Sequence, residues 1–376
     1  MRSKILVSFV SVVATLALLE LTVRIFMPQH PEFWDNRTLF RVSPTPPHLM
    51  ENIPNTHNNF YAGVPVSINS YGLRGPKVQV PKPPNTFRIV GVGDSITFGF
   101  GIPFDDTFLQ VLQRRVNESV SPRMRYETLN GAVPGTGLDF YYHFIETTAQ
   151  SLQPDIILIG LCLNDIQVYL EPRATTAAKK DQPEQTEGPV RRTSNFLLEH
   201  SELYMASYME LKATLYGFGI LDINKIHGYD FFSLEPPSPD QQKAWDSTYQ
   251  MLSKISALCH ERHYPLVIVV FPMEIQLSRS VLQLYRDRFH VRLGPEALSG
   301  EPQKRIKEFV TANGDTVIDL LPAFRGAASE GLFLRNKSIT FDPVHPSVPG
   351  NRIAAEEIYR VLKADHLVQI AQVVRP

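Results

Sequence analysis

Residues 87–101 have the sequence FRIVGVGDSITFGFG, an apolar run that ends at Gly-Asp-Ser and is followed by a turn rich in Gly and Phe. The run at 87–92 is short, largely β-branched and free of charge after Arg88, which is typical of a strand buried on both faces of a parallel sheet. Gly93 permits a tight turn at its end. Ligands bind beyond the carboxyl ends of strands in open α/β sheets, so the sequence places Ser95 where chemistry commonly occurs.

Further apolar runs and amphipathic segments extend this pattern along the chain. Strands are predicted at residues 126–130, 156–161, 266–271 and 316–320. Helices are predicted at residues 105–119, 138–152, 194–216, 241–263 and 303–312, with another from about 348. Because strands and helices alternate, we predict an α/β protein with a doubly wound parallel sheet and helices on both faces.

Length, charge and cysteine content limit the possible classes of protein. The 376 residues suffice for a large core and one or two domains. The formal net charge of -1 excludes the basic excess that is typical of nucleic-acid binding. Cys162 and Cys259 both lie in apolar contexts, so neither a disulfide framework nor a lipid-attachment cysteine is predicted.

The amino terminus has the pattern of a signal peptide or a signal anchor. Arg2 and Lys4 precede an apolar run at 5–19, and residues 21–27 extend it toward the about 20 residues that a membrane span needs. Because no small-x-small cleavage site lies at its end, we favour an anchor at 1–27 with the rest of the chain on the periplasmic or extracytoplasmic side. The alternatives are a cleaved leader and a cytosolic first helix. Glu20 and Arg24 are expected to snorkel to the interface.

The rest of the chain divides by composition. Residues 28–84 are crowded with Pro, Asn and His, which predicts an extended spacer and lead-in, although 64–73 could add an edge strand or pack on the domain. Residues 85–366 carry the α/β pattern, with an insertion at about 171–240 whose length is typical of a lid or binding element. Within it, the polar stretch 173–192 predicts a mobile surface loop. Residues 367–376 form a carboxyl-terminal tail.

Cys259, His260 and His263 lie close together near the end of a predicted helix. Their spacing lacks the HExxH arrangement of a helical zinc site, because His263 follows His260 by only three residues. We therefore predict a polar helix end there rather than a metal site.

The last informative stretch is 340–360, TFDPVHPSVPGNRIAAEEIYR, where Asp342 and His345 share a loop stiffened by proline. The Asp342 carboxylate can hold one ring nitrogen of His345 while the other ring nitrogen faces a substrate. The alternative is that His345 is a surface histidine beside an unrelated aspartate. Acyl transfer needs a nucleophile, a base, a group that orients the base, and oxyanion donors. Ser95, His345 and Asp342 are candidates for the first three. The candidate donors are the Ser95 N–H, the N–H of a loop glycine after the second strand, and the Asn164 amide.

Four blocks, in this order, resemble the SGNH (GDSL-like) hydrolase family. They are GDS at 93–95, NGAVPG from Asn130, LND at 163–165 and DPVHP at 342–346, and the resemblance spans about 87–362. Two positions depart from the family pattern: Ile96 replaces Leu, and Cys162 stands where the third block usually has Gly. The G-x-S-x-G elbow of α/β-hydrolases is absent around Ser95.

The resemblance implies a three-layer α/β/α sandwich of the flavodoxin-like type and ester hydrolysis through an acyl-serine intermediate. It implies the catalytic residues Ser95, Asp342 and His345, an oxyanion hole formed by Ser95, Gly135 and Asn164, and no metal or organic cofactor.

A membrane-anchored domain of this kind is similar to proteins that remove or add acetyl groups on extracellular polysaccharides. The leading expectation is a hydrolase of acyl esters, with an acetyl ester or acetylated carbohydrate as substrate. The alternatives are a polysaccharide O-acetyltransferase on the same scaffold and a non-catalytic binding protein.

Overall fold

The computed structural model describes residues 2–26, 39–119, 124–167, 189–218, 220, 238–327, 331–335 and 342–368. Within these residues the strands are β1 Phe40–Val42, β2 Met50–Asn52, β3 Thr56–Tyr61, β4 Val64–Ile68, β5 Thr86–Gly93, β6 Arg125–Asn130, β7 Ile156–Leu161, β8 Leu266–Val270 and β9 Thr316–Asp319. The α-helices are α1 Arg2–Phe26, α2 Ser95–Phe98, α3 Phe108–Asn117, α4 Leu138–Phe144, α5 Gln150–Leu152, α6 Pro189–His200, α7 Glu202–Gly217, α8 Pro239–Glu261, α9 Arg279–Phe289, α10 Glu301–Ala312, α11 Leu321–Gly326 and α12 Val348–Ala364.

Five strands form the central sheet in the order β6-β5-β7-β8-β9, and all adjacent pairs are parallel. All residues of β7 and β8 are buried, as expected for strands covered on both faces. The predicted α/β fold class is confirmed. Since β5 lies between β6 and β7, the strand order reverses at β5, and a crevice is expected at the carboxyl ends of these three strands.

Helices cover the sheet. The apolar face predicted for α3 is buried at Phe108, Leu109, Leu112 and Val116, and α3 packs against α12. Similarly, α4 packs against α8. Crossovers between parallel strands are right-handed, which places α3 and α4 on opposite faces of this sheet. The result is three layers, with helices above and below the strands.

The described part of the lead-in, 39–84, differs from an extended spacer. It forms two short antiparallel hairpins, β1–β2 and β3–β4, and buries Leu39, Val66, Ile68 and Leu73 against the domain. The Arg74 N–H donates to the Asn130 carbonyl (2.9 Å), which joins this segment to the end of β6. The apolar side chains between the prolines explain the difference, because they can be buried while proline and asparagine occupy the turns.

The helix predicted at 194–216 is two helices, α6 and α7, separated at Ser201. Most of the loop predicted at 173–192, and residues 221–237 of the insertion, lie outside the described residues. Within the described part of the chain, residues 6–26 of α1 are the one helical stretch long and apolar enough to cross a membrane, with a mean hydropathy of 2.2 and none of it buried.

Candidate active site

The nucleophile candidate is positioned by the turn between β5 and α2. Asp94 is the N-cap of α2, and its Oδ1 accepts from the Ile96 N–H at 2.9 Å. Gly93 is required for close packing here, because a Cβ at this position would lie 2.1 Å from Thr97 Oγ1. Ser95 is partly exposed whereas its neighbours are buried, so its hydroxyl is accessible at the carboxyl edge of the sheet.

The structure brings Ser95 together with the two residues predicted near the far end of the chain. His345 Nε2 lies 2.8 Å from Ser95 Oγ, although 250 positions separate the two residues. His345 Nδ1 lies 2.7 Å from Asp342 Oδ2. The consistent proton arrangement is that Nδ1–H donates to the carboxylate and the serine hydroxyl donates to Nε2.

The charges of Asp342 and His345 shift the pKa values of these two side chains in opposite directions. Burial alone would lower the pKa of His345, but the charge and hydrogen bond of Asp342, together with the charge of Asp94, raise it above its ordinary value. Burial would raise the pKa of Asp342, but the charge and hydrogen bonds of His345 and the Val344 N–H lower it. The imidazole is therefore a stronger base than a free histidine, and the carboxylate that orients it stays ionised.

Asp94 provides a second carboxylate at the site. It is 2 % exposed, and burial raises its pKa. Its Oδ2 lies 3.5 Å from both Ser95 Oγ and Asn164 Nδ2, which are long contacts. The sequence identified Asp94 only as part of the GDS block at 93–95 and did not predict these contacts.

The two other oxyanion candidates follow the neighbouring strands. Asn164 is exposed in the 3₁₀ turn Leu163–Asp165 after β7, and its contact with Asp94 brings its amide to the site. Gly135 follows β6 with φ +75°, and a Cβ there would meet no atom within 4 Å. By contrast, a Cβ at Gly131 would lie 2.4 Å from the Phe144 ring. Gly135 thus lies in the open part of the loop, whereas Gly131 is a packing position.

Three residues that were not identified from the sequence support the carboxyl edge around Ser95, and they come from the lead-in and the loop after α2. The Phe100 ring lies 4.3 Å from the His345 ring, centroid to centroid, at an interplanar angle of 31°. Phe100 also packs edge-on against Tyr61 at 5.3 Å. The buried Arg74 guanidinium donates to three carbonyls of the loop that follows Ser95, those of Phe98, Gly99 and Ile102. The sequence did not indicate what Arg74 binds.

A separate ionic network supports the loop that carries Asp342. Arg335 Nη1 donates to the Asp342 carbonyl at 2.8 Å, and Arg335 Nη2 pairs with Glu274. Glu274 also accepts from the Tyr285 hydroxyl at 2.5 Å, and its N–H donates to the Pro343 carbonyl at 2.9 Å. The loop position is therefore set by β8 and α9 as well as by α12.

The fold and site together define a class, doubly wound α/β proteins with a Ser–His–Asp array at the carboxyl edge of the sheet. Neither a family model nor a curated protein matches the sequence. The chain is similar to solved structures, among them a protein assigned to the lipolytic G-D-S-L family from Desulfitobacterium hafniense, at 12 % identity and TM-score 0.38, covering 73 % of this chain and 99 % of that one. Another is Axe2, an acetylxylan esterase from Geobacillus stearothermophilus, at 14 % identity and TM-score 0.38, covering 73 % and 93 %.

A third similar structure is a protein named TesA, at 11 % identity and TM-score 0.39, covering 75 % of this chain and 99 % of that one. The G-D-S-L group named among these structures is also the one that the four sequence blocks resemble.

Proposed function

We propose that this protein is a serine ester hydrolase that works through an acyl-serine intermediate. The observation that carries the proposal is the continuous array from Asp342 Oδ2 to His345 Nδ1 (2.7 Å) and from His345 Nε2 to Ser95 Oγ (2.8 Å). A nucleophile within hydrogen-bond reach of a base that is itself oriented by a third group is the arrangement required for nucleophilic catalysis.

In the acylation step, the Ser95 hydroxyl proton moves to His345 Nε2 as Oγ bonds to the ester carbonyl carbon. The carbonyl π electrons become an oxyanion, and the imidazolium that forms is stabilised by Asp342. The tetrahedral intermediate then expels the alcohol, which takes the proton from Nε2. In deacylation a water molecule donates a proton to Nε2 and attacks the acyl carbon. The second tetrahedral intermediate then releases the carboxylic acid, and Ser95 Oγ takes the proton back from Nε2.

The developing oxyanion is proposed to accept from the backbone N–H groups of Ser95 and Gly135 and from the Asn164 side-chain amide. All three groups follow adjacent parallel strands, β5, β6 and β7, whose carboxyl ends lie at the same edge of the sheet. Removing one such donor typically costs about 2.7 to 4 kcal/mol of transition-state stabilisation.

The proposed substrate is an acyl ester, with acetyl as the acyl group. This choice follows the resemblance of the four sequence blocks and the combination of such a domain with an apolar amino-terminal helix. That helix is proposed to be a membrane anchor, with Arg2 and Lys4 on the cytoplasmic side and the catalytic domain on the other side. Its length of 25 residues is sufficient for a span.

A fluorophosphonate probe tests the nucleophile directly. The full-length protein in detergent is expected to be labelled at Ser95, identified by peptide mass spectrometry, and not in the Ser95→Ala variant. Labelling elsewhere, or none, would contradict the proposal.

Assays with p-nitrophenyl acetate, in the presence and absence of oligosaccharides, test whether water or a sugar accepts the acetyl group. Acetate release to water supports hydrolysis. Acetyl found on the sugar would instead identify a transferase on the same scaffold, and the absence of turnover would indicate a binding protein.

A further inference from the structure

Exposed large apolar side chains are concentrated in the insertion. Among the described residues after α1, ten large apolar side chains are exposed, and six of them lie between 190 and 220. These are Val190, Phe196, Tyr208, Leu211, Phe218 and Ile220. Val190 and Phe218 are 83 % and 74 % exposed. A concentration of this kind indicates a surface that contacts a protein or a membrane.

The same two helices bind the end of the proposed anchor through Glu20. The Glu20 carboxylate accepts from the Ser201 hydroxyl (2.7 Å) and from the backbone N–H groups of Glu202 and Leu203 (both 3.0 Å). Ser201 Oγ in turn accepts from the Tyr204 N–H at 3.0 Å. Glu20 and Ser201 together therefore satisfy three N–H groups of the first turn of α7, which otherwise lack partners within the helix.

Arg24, one turn further along α1, makes the complementary contact with α6. Its Nη2 donates to the carbonyl of His200, the last residue of α6, at 2.8 Å, and its Nε pairs with Glu20 at 2.7 Å. A carboxylate thus meets the amino terminus of α7 and a guanidinium meets the carboxyl terminus of α6, as the dipoles of the two helices favour. The break at Ser201, which the sequence did not predict, is where both contacts are made.

With α1 as the proposed anchor, these contacts put the junction of α6 and α7 at the level of the membrane surface. Glu20 and Arg24 lie near the carboxyl-terminal end of α1, on the side of the catalytic domain. Charged groups in a span are stable near the headgroups and costly at the centre of the bilayer. The insertion helices, α6 and α7, are attached to α1 at this level and carry exposed apolar side chains, and α1 itself is unburied.

We propose that α6 and α7 form the membrane-docking surface of this protein, fixed to the anchor by Glu20 and Arg24 and immersed through their exposed apolar side chains in the headgroup and acyl boundary of the lipid bilayer. This inference rests on the proposed membrane anchoring. It also requires α1 to be retained, because removal of α1 would take the Glu20 carboxylate away from the first turn of α7. Continuity with the anchor favours the bilayer over a second copy of the chain as the occupant of the surface.

The docking surface has a structural connection to the active site. Helix α7 packs against α9, whose Tyr285 donates to Glu274, and Glu274 supports the loop of Asp342 through Arg335 and Pro343. The docking surface is therefore connected through α9 and Glu274 to the loop that carries Asp342.

A fluorescent depth measurement tests the proposal on the full-length protein in phosphatidylcholine and phosphatidylglycerol vesicles. The environment-sensitive dye NBD is attached to Val190→Cys or Phe218→Cys; the native Cys162 and Cys259 are buried, and the unsubstituted protein gives the background. Phe9→Cys reports insertion of the anchor, and Lys254→Cys on α8 is the solvent-exposed control.

The expected result is a blue-shifted emission that is quenched by lipids with brominated acyl chains at positions 9, 190 and 218, but not at 254. Solvent-like emission at 190 and 218 with quenching at 9 would overturn the docking surface while leaving the anchor intact. A blue shift at 190 and 218 without quenching would indicate coverage by protein and would also overturn it. Absence of quenching at 9 would overturn the anchor and the docking surface together, without affecting the proposed esterase chemistry.

The Glu20 contact is tested by Glu20→Leu, which keeps the span apolar and removes the carboxylate. Amide hydrogen exchange at Glu202 and Leu203 is expected to become faster, and quenching at position 218 to fall, while quenching at 9 and hydrolysis of p-nitrophenyl acetate stay unchanged. The matched control is Thr22→Leu, because the Thr22 hydroxyl bonds to the Leu18 carbonyl of its own helix. Unchanged exchange and quenching in Glu20→Leu would overturn the role of this contact.

Discussion

Buried charged side chains at the two edges of the central sheet differ in how closely they are hydrogen-bonded. At the amino edge, Arg88 is fully buried, and its guanidinium donates to Glu127 (2.9 Å) and to the carbonyls of Leu152 (2.6 Å) and Gln79 (2.9 Å). At the carboxyl edge, one oxygen of the buried Asp94 carboxylate has only long contacts of 3.5 Å with Ser95 and Asn164 among its described partners.

The difference shows which charges maintain the fold and which can take part in a reaction. A buried ion with short bonds to several fixed partners is held in one arrangement, and removing a partner is costly. Burial instead raises the pKa of the Asp94 carboxylate, which lies beside the proposed nucleophile. Groups with shifted pKa values are common at sites where protons are transferred. We therefore expect substitutions at the carboxyl edge to alter rate and those at the amino edge to alter stability.

The largest expected effect on rate is that of Ser95→Ala at the carboxyl edge. Without the nucleophile, kcat should fall by about 10⁴- to 10⁶-fold, because the three catalytic groups act as a unit. The midpoint of thermal unfolding should stay unchanged, since Ser95 is partly exposed and its loop is supported by Arg74. Hydrolysis of p-nitrophenyl acetate at the unsubstituted rate would remove Ser95 from the mechanism.

Asp342→Asn should lower kcat by roughly 10⁴-fold, because the amide no longer fixes the imidazole tautomer or stabilises the imidazolium. It should also shift the pH profile. With His345 as the proposed base, the rate of the unsubstituted enzyme should fall as pH drops through the pKa of His345, which Asp342 holds above its ordinary value. Loss of that negative charge lowers the pKa, so the acidic limb of log(kcat/KM) should move to lower pH. An unmoved limb would argue against an orienting role.

A smaller effect is expected for Asn164→Ala. Loss of one proposed oxyanion donor should reduce kcat by about 10²- to 10³-fold, with little change in KM, because the contact is made in the transition state. The exposed position of Asn164 means that unfolding should be unaffected. Steady-state kinetics separate the two parameters, and a change confined to KM would assign Asn164 to substrate binding instead.

The parts of the fold that the sequence predicted are those with a local pattern. The strand predicted at 156–161 coincides with β7, because a run of apolar residues buried on both faces is visible without knowledge of its neighbours. Ser95 could be placed at the carboxyl edge because it follows an apolar strand, and His345 was a candidate base because Asp342 shares its loop, but the 2.8 Å contact between Ser95 and His345 required the structure.

The features that the sequence did not predict depend on partners far away along the chain. Arg74 binds carbonyls 24 to 28 positions away, and Arg335 pairs with Glu274 across 61 positions. The helix break at Ser201 is stabilised by Glu20, 181 positions earlier. In each case the residue alone has several possible partners, and only the tertiary structure selects one.

The smallest expected effect on rate, and the sharpest test of the contrast, is Arg88→Met at the amino edge. The apolar replacement leaves Glu127 and the Leu152 and Gln79 carbonyls without their donor, and the unfolding free energy should fall by about 3 kcal/mol. Arg88 lies near the start of β5, and Ser95 follows the opposite end of that strand. Because the two residues are far apart and share no partner, kcat of the folded enzyme should remain within about twofold of the unsubstituted value. Adding Glu127→Gln should recover part of the stability, since the unpaired carboxylate is then neutral. Urea unfolding and kinetics on the same samples check both parts, and a large loss of kcat with unchanged stability would show that the two edges are not separate in function.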